Sequence, residues 1–478
     1  MNQSATAPPA GGIFPPQRPL LRLDSHAYSP AARLKIVEAG GQVKSFKLAS
    51  VLLDRLADIS ISPRHVATLT EEIGEELRQA RDQRTEDWIH HRRKKPSGPV
   101  PQAVAVSVDG GCIQTRAEGH GRGVHEQGWK ENKVACLHTL AGPTFEDDPH
   151  PQPPACFLDP QYVDELVQDL KSHKRLGEEE EQPASPDERS EQADAVVLLP
   201  EGIVTDEVVS EDPPPKGQPE AEPVTPEPAS DQAPARTAAA RRKKVDWPPK
   251  RLVRTCVATQ QSSDAFGPLV AQEAYSRGFF SACRRAFLGD GLKYNWTIQR
   301  KWFKDFEPIA DFIHPLSYLY VAATAVAHSQ AERWQTYLGW MTACWQGRVA
   351  EVLKTLKQWQ ERLGPILPEE KPPGSDARVV VGKAVTYLEN NQARMDYPRY
   401  RRLGLPVTSS AVESLIKEFN YRVKGTEKFW NRPEGTERIL QVRAAVLSDD
   451  DRLSKHLKNR PGSPVRRYRA KESNQYTE

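Results

Sequence analysis

The stretch AVAVSVDGGCIQT, residues 103–115, decides the fold. A nearly unbroken apolar run from Ala103 to Val108 ends in Asp109, Gly110 and Gly111. A short run of this kind, rich in β-branched residues and bounded by glycines, predicts a buried strand. Asp109 then has two readings. Asp-Gly between apolar runs is a hairpin signal that needs no chemistry, and an acid at a strand end is also a place for chemistry. Both are met by a glycine turn that leaves the carboxylate facing outward at the rim of a sheet.

Downstream, WKENKVACLHTLAG (129–142) reads as a second strand, so residues 96–145 form a strand-rich block. Upstream, residues 30–95 carry a helical pattern. Ser29-Pro30 and Ser62-Pro63 open helices, Gly40-Gly41 closes the first, and SFKLASVLLDRLADI (45–59) repeats apolar residues at helical spacing. Three short helices with tight joints predict a helix-turn-helix-like DNA-binding domain; a small helical packing domain fits equally. Residues 1–29 are Pro-rich and predicted to be a disordered tail.

The 478-residue chain has a net charge of +2, which hides a segregation. Residues 146–235 hold 24 acidic against 5 basic side chains and 16 prolines, leaving 40 acidic against 61 basic elsewhere. Residues 146–248 therefore predict a disordered acidic, Pro-rich insert, with amphipathic PQYVDELVQDLKSH (160–173) as an exception. The insert reads as a spacer or as a DNA mimic restraining a basic body, and that body suits a polyanionic partner. The pattern resumes over 249–314 with helix-like DAFGPLVAQEAYSRG and two short strands, FLGDG and IADFIH. Residues 315–375 read as an all-helical insertion with Trp334, Trp340, Trp345 and Trp359 in its core, 376–448 as a last block, and 449–478 as a basic flexible tail.

No apolar run reaches 18 residues and no charged start precedes an apolar one, so neither a membrane span nor a secretory signal is expected. Six cysteines without a C-x-x-C pair disfavour zinc ribbons and disulfides. These features predict a cytoplasmic protein.

Three acids stand out: Asp109 after AVAVSV, Asp290 after AFLG, and Glu413 in GLPVTSSAVESLIKEFN. Asp290-Gly291 is again a turn signal, and Ser410-x-x-Glu413 before an amphipathic run is a capping box. In combination they say more. Strand carboxyl ends and helix starts converge on one edge of an α/β sheet. Carboxylates gathered there repel unless cations intervene. Hard oxygen donors imply Mg²⁺ or Mn²⁺, and two such ions serve phosphodiester displacement.

VSVDGG with WKENKVACLHTL, then LGDGLKYNW with IADFIHPLSYLYVAA, and finally MDYPRYRRLGLPVTSSAVESLIKEFNYRVKGTEKFWN resemble the catalytic blocks of bacterial insertion-sequence transposases of the DDE class. The resemblance covers about 100–145 and 250–447, and its last block is the most specific. It implies an α/β fold, a ribonuclease H-like mixed sheet flanked by helices. It also implies a metal triad of Asp109, Asp290 and Glu413 holding two Mg²⁺ or Mn²⁺ ions. Asp311 and His314 match an Asp-x-x-His pattern placed near the site, with Asp311 an alternative second ligand and His314 equally readable as a core histidine. The implied partner is double-stranded DNA, at the element ends and at the target, engaged by a homodimer or higher synaptic oligomer. Phosphate contacts and stacking fall to Lys417, Arg422, Lys424, Lys428 and Trp430, with Arg394, Arg401 and Arg402 on the approach. His125, Trp129, Lys130, Glu131 and Lys133 shape the site or pack a hairpin. The expected activity is strand cleavage at element ends and strand transfer into target DNA. The alternatives are a structure-specific nuclease with the same core and a non-catalytic DNA-binding regulator.

Overall fold

The computed structural model describes residues 5–6, 13–14, 26, 28–94, 96, 98–116, 127–178, 248–408, 410–424, 430 and 433–460; side chains at 5, 6, 13, 14, 114, 116, 127–129, 171–178, 410–414 and 433 are not described. The calls on residues 1–4, 7–12, 15–25, 27, His125, 179–247, Lys428 and 461–478 lie outside the described residues, as do the side chains of Trp129 and Glu413.

A five-stranded mixed sheet forms the centre. Its strands are β1 (Ala103–Arg116), β2 (Gln127–Ala141), β3 (Lys250–Thr259), β4 (Arg284–Gly289) and β5 (Glu307–Ala310), in the spatial order β3-β2-β1-β4-β5. β2 runs antiparallel to β1 and β3, whereas β4 is parallel to β1 and β5 to β4. Residues 103–108 are buried, as a strand covered on both faces must be.

The hairpin turn expected at Asp109-Gly110 does not form. β1 continues to Arg116, and Asp109 pairs with Val134 inside the ladder. The glycines answer a packing demand instead: a Cβ on Gly110 would stand 2.8 Å from Glu131 Oε1, and one on Gly111 3.2 Å from Asn132 Oδ1. β4, by contrast, ends at Gly289, so the β1–β4 ladder stops just short of Asp109.

Helices cover both faces. α1 (Pro30–Gln42), α2 (Phe46–Ala57) and α3 (Pro63–Ile89) are each opened by a serine, Ser29, Ser45 and Ser62, that accepts a backbone N–H. Gly40 and Gly41 do not end α1. They lie within it, where a Cβ would strike Thr70 at 2.2 Å and Val442 at 2.8 Å. α4 (Pro160–Glu178) follows a 3₁₀ turn at Ala155–Leu158. α5 (Ser263–Ser276) and α6 (Lys293–Trp302) flank β4, and α7 (Ile313–Val326), α8 (Gln330–Trp345), α9 (Val349–Leu363) and α10 (Ala377–Asn391) build a helical layer. Trp340 and Trp345 are buried in it, and Trp334 and Trp359 pack against it, as expected of core residues. α11 (Tyr397–Arg402), α12 (Ser410–Val423), α13 (Pro433–Leu447) and α14 (Arg452–Asn459) complete the chain.

A second apolar cluster binds α12 and α13 to the sheet through Ile113, Val134, Cys136, Leu415, Phe419 and Ile439. The N-terminal helices join this side. α3 approaches α13 so closely that a Cβ on Gly74 would meet the Arg438 carbonyl oxygen at 2.2 Å, and Arg81 is ion-paired with Glu437 at 2.8 Å.

Two segments expected to be disordered are partly folded. Residues 146–178 dock on the helical layer, because Phe157, Val163 and Val167 are buried there and Trp345 Nε1 donates to the His150 carbonyl. Their few apolar residues are concentrated on one face, which the acidic average conceals. The basic tail folds through Arg460: Leu453 and Leu457 of α14 are buried, and His456 and Arg460 pair with Glu76. Among the described residues, no helix is long and apolar enough to cross a membrane.

Candidate active site

Sheet register places three aspartates side by side. Ser107 pairs with Leu288, and continuing that offset by two residues sets Asp109 beside Asp290. Gly289 pairs with Ala310, so the next step sets Asp290 beside Asp311, whose N–H donates to the Gly289 carbonyl at 3.0 Å. Neighbouring strands lie about 4.8 Å apart, so the three acids share one level, just past the ends of β4 and β5 and midway along β1. Each closes an apolar run; β4 and β5 stop there, whereas β1 runs on to Arg116.

Asp290 is held firmly. Its Oδ1 accepts from the Leu292 N–H at 3.0 Å and from Asn295 Nδ2 at 2.8 Å, and its carbonyl accepts from Tyr387 OH at 3.1 Å. No described residue donates to Oδ2. The chain can turn away because Gly291 adopts φ +106, and a Cβ there would sit 2.5 Å from the Tyr387 ring. Asp109 Oδ1 accepts from the Gly110 N–H at 2.7 Å. Asp311 is 1% exposed, accepts from the Ile313 N–H at 3.3 Å, and lies 3.8 Å from His314 Nε2. His314, also buried, sits beside Asp311 in the first turn of α7.

Position 413 lies on α12 one turn before Ile416. Ile416 and Asn420 face Gly111, at 3.7 and 3.9 Å from its would-be Cβ. Val423 accepts from Trp430 Nε1, and Trp430 bridges to Thr115. The contacts thus run from Thr115 back to Gly111 as α12 is followed toward its start, so the helix heads along β1 toward Asp109.

Sequence reasoning did not single out Tyr294, which lies among the acids. Its hydroxyl is 3.4 Å from the would-be Gly110 Cβ, beside the Glu131 carboxylate. Burial, then the charges of Glu131, Asp290 and Asp109, push this phenol well above its ordinary value. Lys133 Nζ pairs with Glu131 at 2.5 Å and lies 6.0 Å from the Tyr294 ring centroid. Glu131 and Lys133 thus do shape the surroundings of the acids. Tyr294 OH, both side-chain polar atoms of Asn132, and Asn420 Oδ1 are buried with no partner among the described residues. Buried polar atoms are ordinarily satisfied, so this concentration of orphans beside the aspartates marks a place built for a polar or charged occupant. Hard carboxylate oxygens with oriented partners such as Asn295 suit Mg²⁺ or Mn²⁺. Among the described residues, no group of three or more His, Cys, Asp and Glu side chains is close enough to hold a metal.

The expected DNA contacts divide. Arg401 is fully buried, paired with Asp148 at 2.5 Å and stacked 4.3 Å from the Trp345 ring centroid, so it is a core residue and not a DNA contact. Arg422 is 1% exposed and donates to the Gly40 carbonyl at 2.7 Å, joining α12 to α1; burial pushes its guanidinium down to about 10. Trp430 is partly buried, packed against the second cluster and bridged to Thr115 near the end of β1. Arg394 lies half-buried over Trp296 at 4.5 Å. Lys417 is exposed, pairing with Asp169 at 2.6 Å. Lys424 is half-buried near Cys112, and burial lowers its ammonium pKa. Arg402 is partly exposed beside the Phe145 backbone.

Neither protein-family models nor curated proteins match this chain.

Proposed function

We propose that this protein is a DDE-class DNA transposase whose sheet is a ribonuclease H-like core, with Asp109, Asp290 and Glu413 as its metal-binding acids. The observation that carries the reading is the parallel register of β1 and β4, whose last pair, Ser107 with Leu288, lies two residues before Asp109 and Asp290, with α12 directed back toward them. The strand order, three antiparallel strands followed by two parallel ones reached through helices, is compatible with that core.

The acids would hold two Mg²⁺ or Mn²⁺ ions, which when bound supply an activated attacking oxygen and a stabilised leaving oxygen. Asn295 and the Leu292 N–H fix Asp290 Oδ1 and so aim Oδ2. Tyr294, kept protonated by burial and surrounding carboxylates, remains a donor toward a phosphate oxygen. Asn132 and Asn420 add further polar atoms for the scissile strand. No side-chain nucleophile is required: water would release a 3′-hydroxyl at the element end, and that hydroxyl would attack target DNA. DNA at the element ends and target, a synaptic assembly of two or more copies, and a location with the nucleoid belong to the same reading.

The test is Mg²⁺-dependent cleavage and strand transfer on supercoiled DNA carrying the element's ends, comparing wild type with D109N, D290N and E413Q. All three variants should lose both steps while still binding DNA. Cleavage without joining from precleaved ends would make the protein a nuclease. Absence of either step in wild type, with DNA binding intact, would make it a regulator.

A further inference from the structure

A separate cleft of about 400 Å³ opens at the outer edge of the sheet, where α3, α5, α13 and α14 meet against β3. Its charges do not balance locally. Arg277 and Arg452 share Glu273 and Asp450, Arg81 is matched by Glu437, and His456 by Glu76. Three further cations have no carboxylate within ion-pair distance among the described residues. Arg84 makes no hydrogen bond or ion pair with any described residue, Arg93 reaches only the Ser276 hydroxyl at 3.4 Å, and Lys455 donates to the Asp450 carbonyl at 2.7 Å.

Arg84 is the informative one. It lines the cleft beside Arg81, Arg93 and Arg452, and burial lowers its pKa; the charge of Glu273 opposes this, and those three cations add to it. A guanidinium withdrawn from water among like charges is costly unless an anion joins it. Arginine's planar fork matches phosphate geometry, and the volume lies within the ~300–1,000 Å³ common for ligand sites.

We propose that this cleft binds a phosphate-bearing anion, with Arg84, Arg93 and Lys455 as its principal ligands. The occupant is a free phosphorylated compound or a backbone phosphate of nucleic acid, since both present the same group. β3 is two strands from β1, roughly 10 Å by strand spacing, so the site is distinct from the aspartate cluster and does not depend on it.

The test uses the full chain and two probes, inorganic tripolyphosphate and a short DNA duplex, titrated calorimetrically at low salt. Wild type should bind tripolyphosphate saturably. R84Q and R93Q should each weaken that binding by roughly tenfold or more, while K354Q, at an exposed lysine on α9, should not. R84Q should melt no lower than wild type in anion-free buffer, because it removes a cation crowded by Arg81, Arg93 and Arg452. If duplex affinity falls in parallel, with the slope of log affinity against log salt shallower by about 0.9 per lost contact, the source is nucleic acid. If duplex affinity holds, it is a free phosphorylated compound. No saturable binding in wild type, or unchanged binding in both arginine variants, overturns the proposal. D109N should leave tripolyphosphate binding intact, so this site and the strand-cleavage reading stand or fall separately.

Discussion

Arg401 and Asp148, 253 positions apart in the chain, meet inside the protein through two hydrogen bonds of 2.8 and 2.5 Å, and Arg401 also donates to the Trp345 carbonyl. This pair anchors the start of the acidic segment to the helical layer. Burial opposes the charge on Asp148, and the Arg401 bonds outweigh it, holding the carboxyl below its usual range.

Breaking a buried pair by removing one partner strands the other charge. Arg401→Ala should therefore cost about 3 kcal/mol, read by urea denaturation. It should leave the salt slope of DNA binding unchanged, because the guanidinium is not at the surface. Lys417→Ala breaks an exposed pair and should cost less than about 1 kcal/mol.

Gly291→Ala forces a side chain onto φ +106 and against the Tyr387 ring at 2.5 Å. Strain alone should cost about 1–3 kcal/mol. Because Tyr387 also holds the Asp290 carbonyl, strand cleavage should fall more steeply than the melting temperature, measured on the same preparation.

Gly74→Ala should separate α3 from α13, since the obstacle is the Arg438 backbone and not a movable side chain. A loss of about 2–3 kcal/mol is expected. Gly435→Ala on α13, where a Cβ meets nothing within 4 Å, should be neutral or stabilising by up to about 1 kcal/mol. Thermal melts of the two variants make the comparison.

His138 is 6% exposed, and burial, with Arg251 and Arg254, pushes its imidazole down to about 4 from 6.5. The unfolded chain therefore binds the extra proton first. Stability is fully present above about pH 6.5 and declines as pH falls toward 4, by up to about 3 kcal/mol from this residue. His138→Phe should flatten that slope in denaturation curves taken between pH 7.5 and 4.5.

Much of the sheet was legible in the sequence because an apolar run ending in an acid recurs at Asp109, Asp290 and Asp311, and such runs become buried strands that lie in register. The Asp109-Gly110 turn was misread because local sequence does not reveal Glu131 or Asn132 lying against the glycines. Arg401 and Arg422 read as surface charge, since their partners, Asp148 and the Gly40 carbonyl, are far away in the chain. Tyr294 was passed over as one aromatic among many. Its signal was its position four residues after Asp290, which places it in the first turns of the following helix. Phe157, Val163 and Val167 were hidden by the acidic average around them.

The 27 residues of α3 run about 40 Å at 1.5 Å per residue, and Gly74 and Arg81 fasten the helix to α13 partway along. The three N-terminal helices are consequently not a tethered module free to swivel. They are geared to the sheet like a ruler to its stop, so anything they grip is held at a set separation from the aspartates.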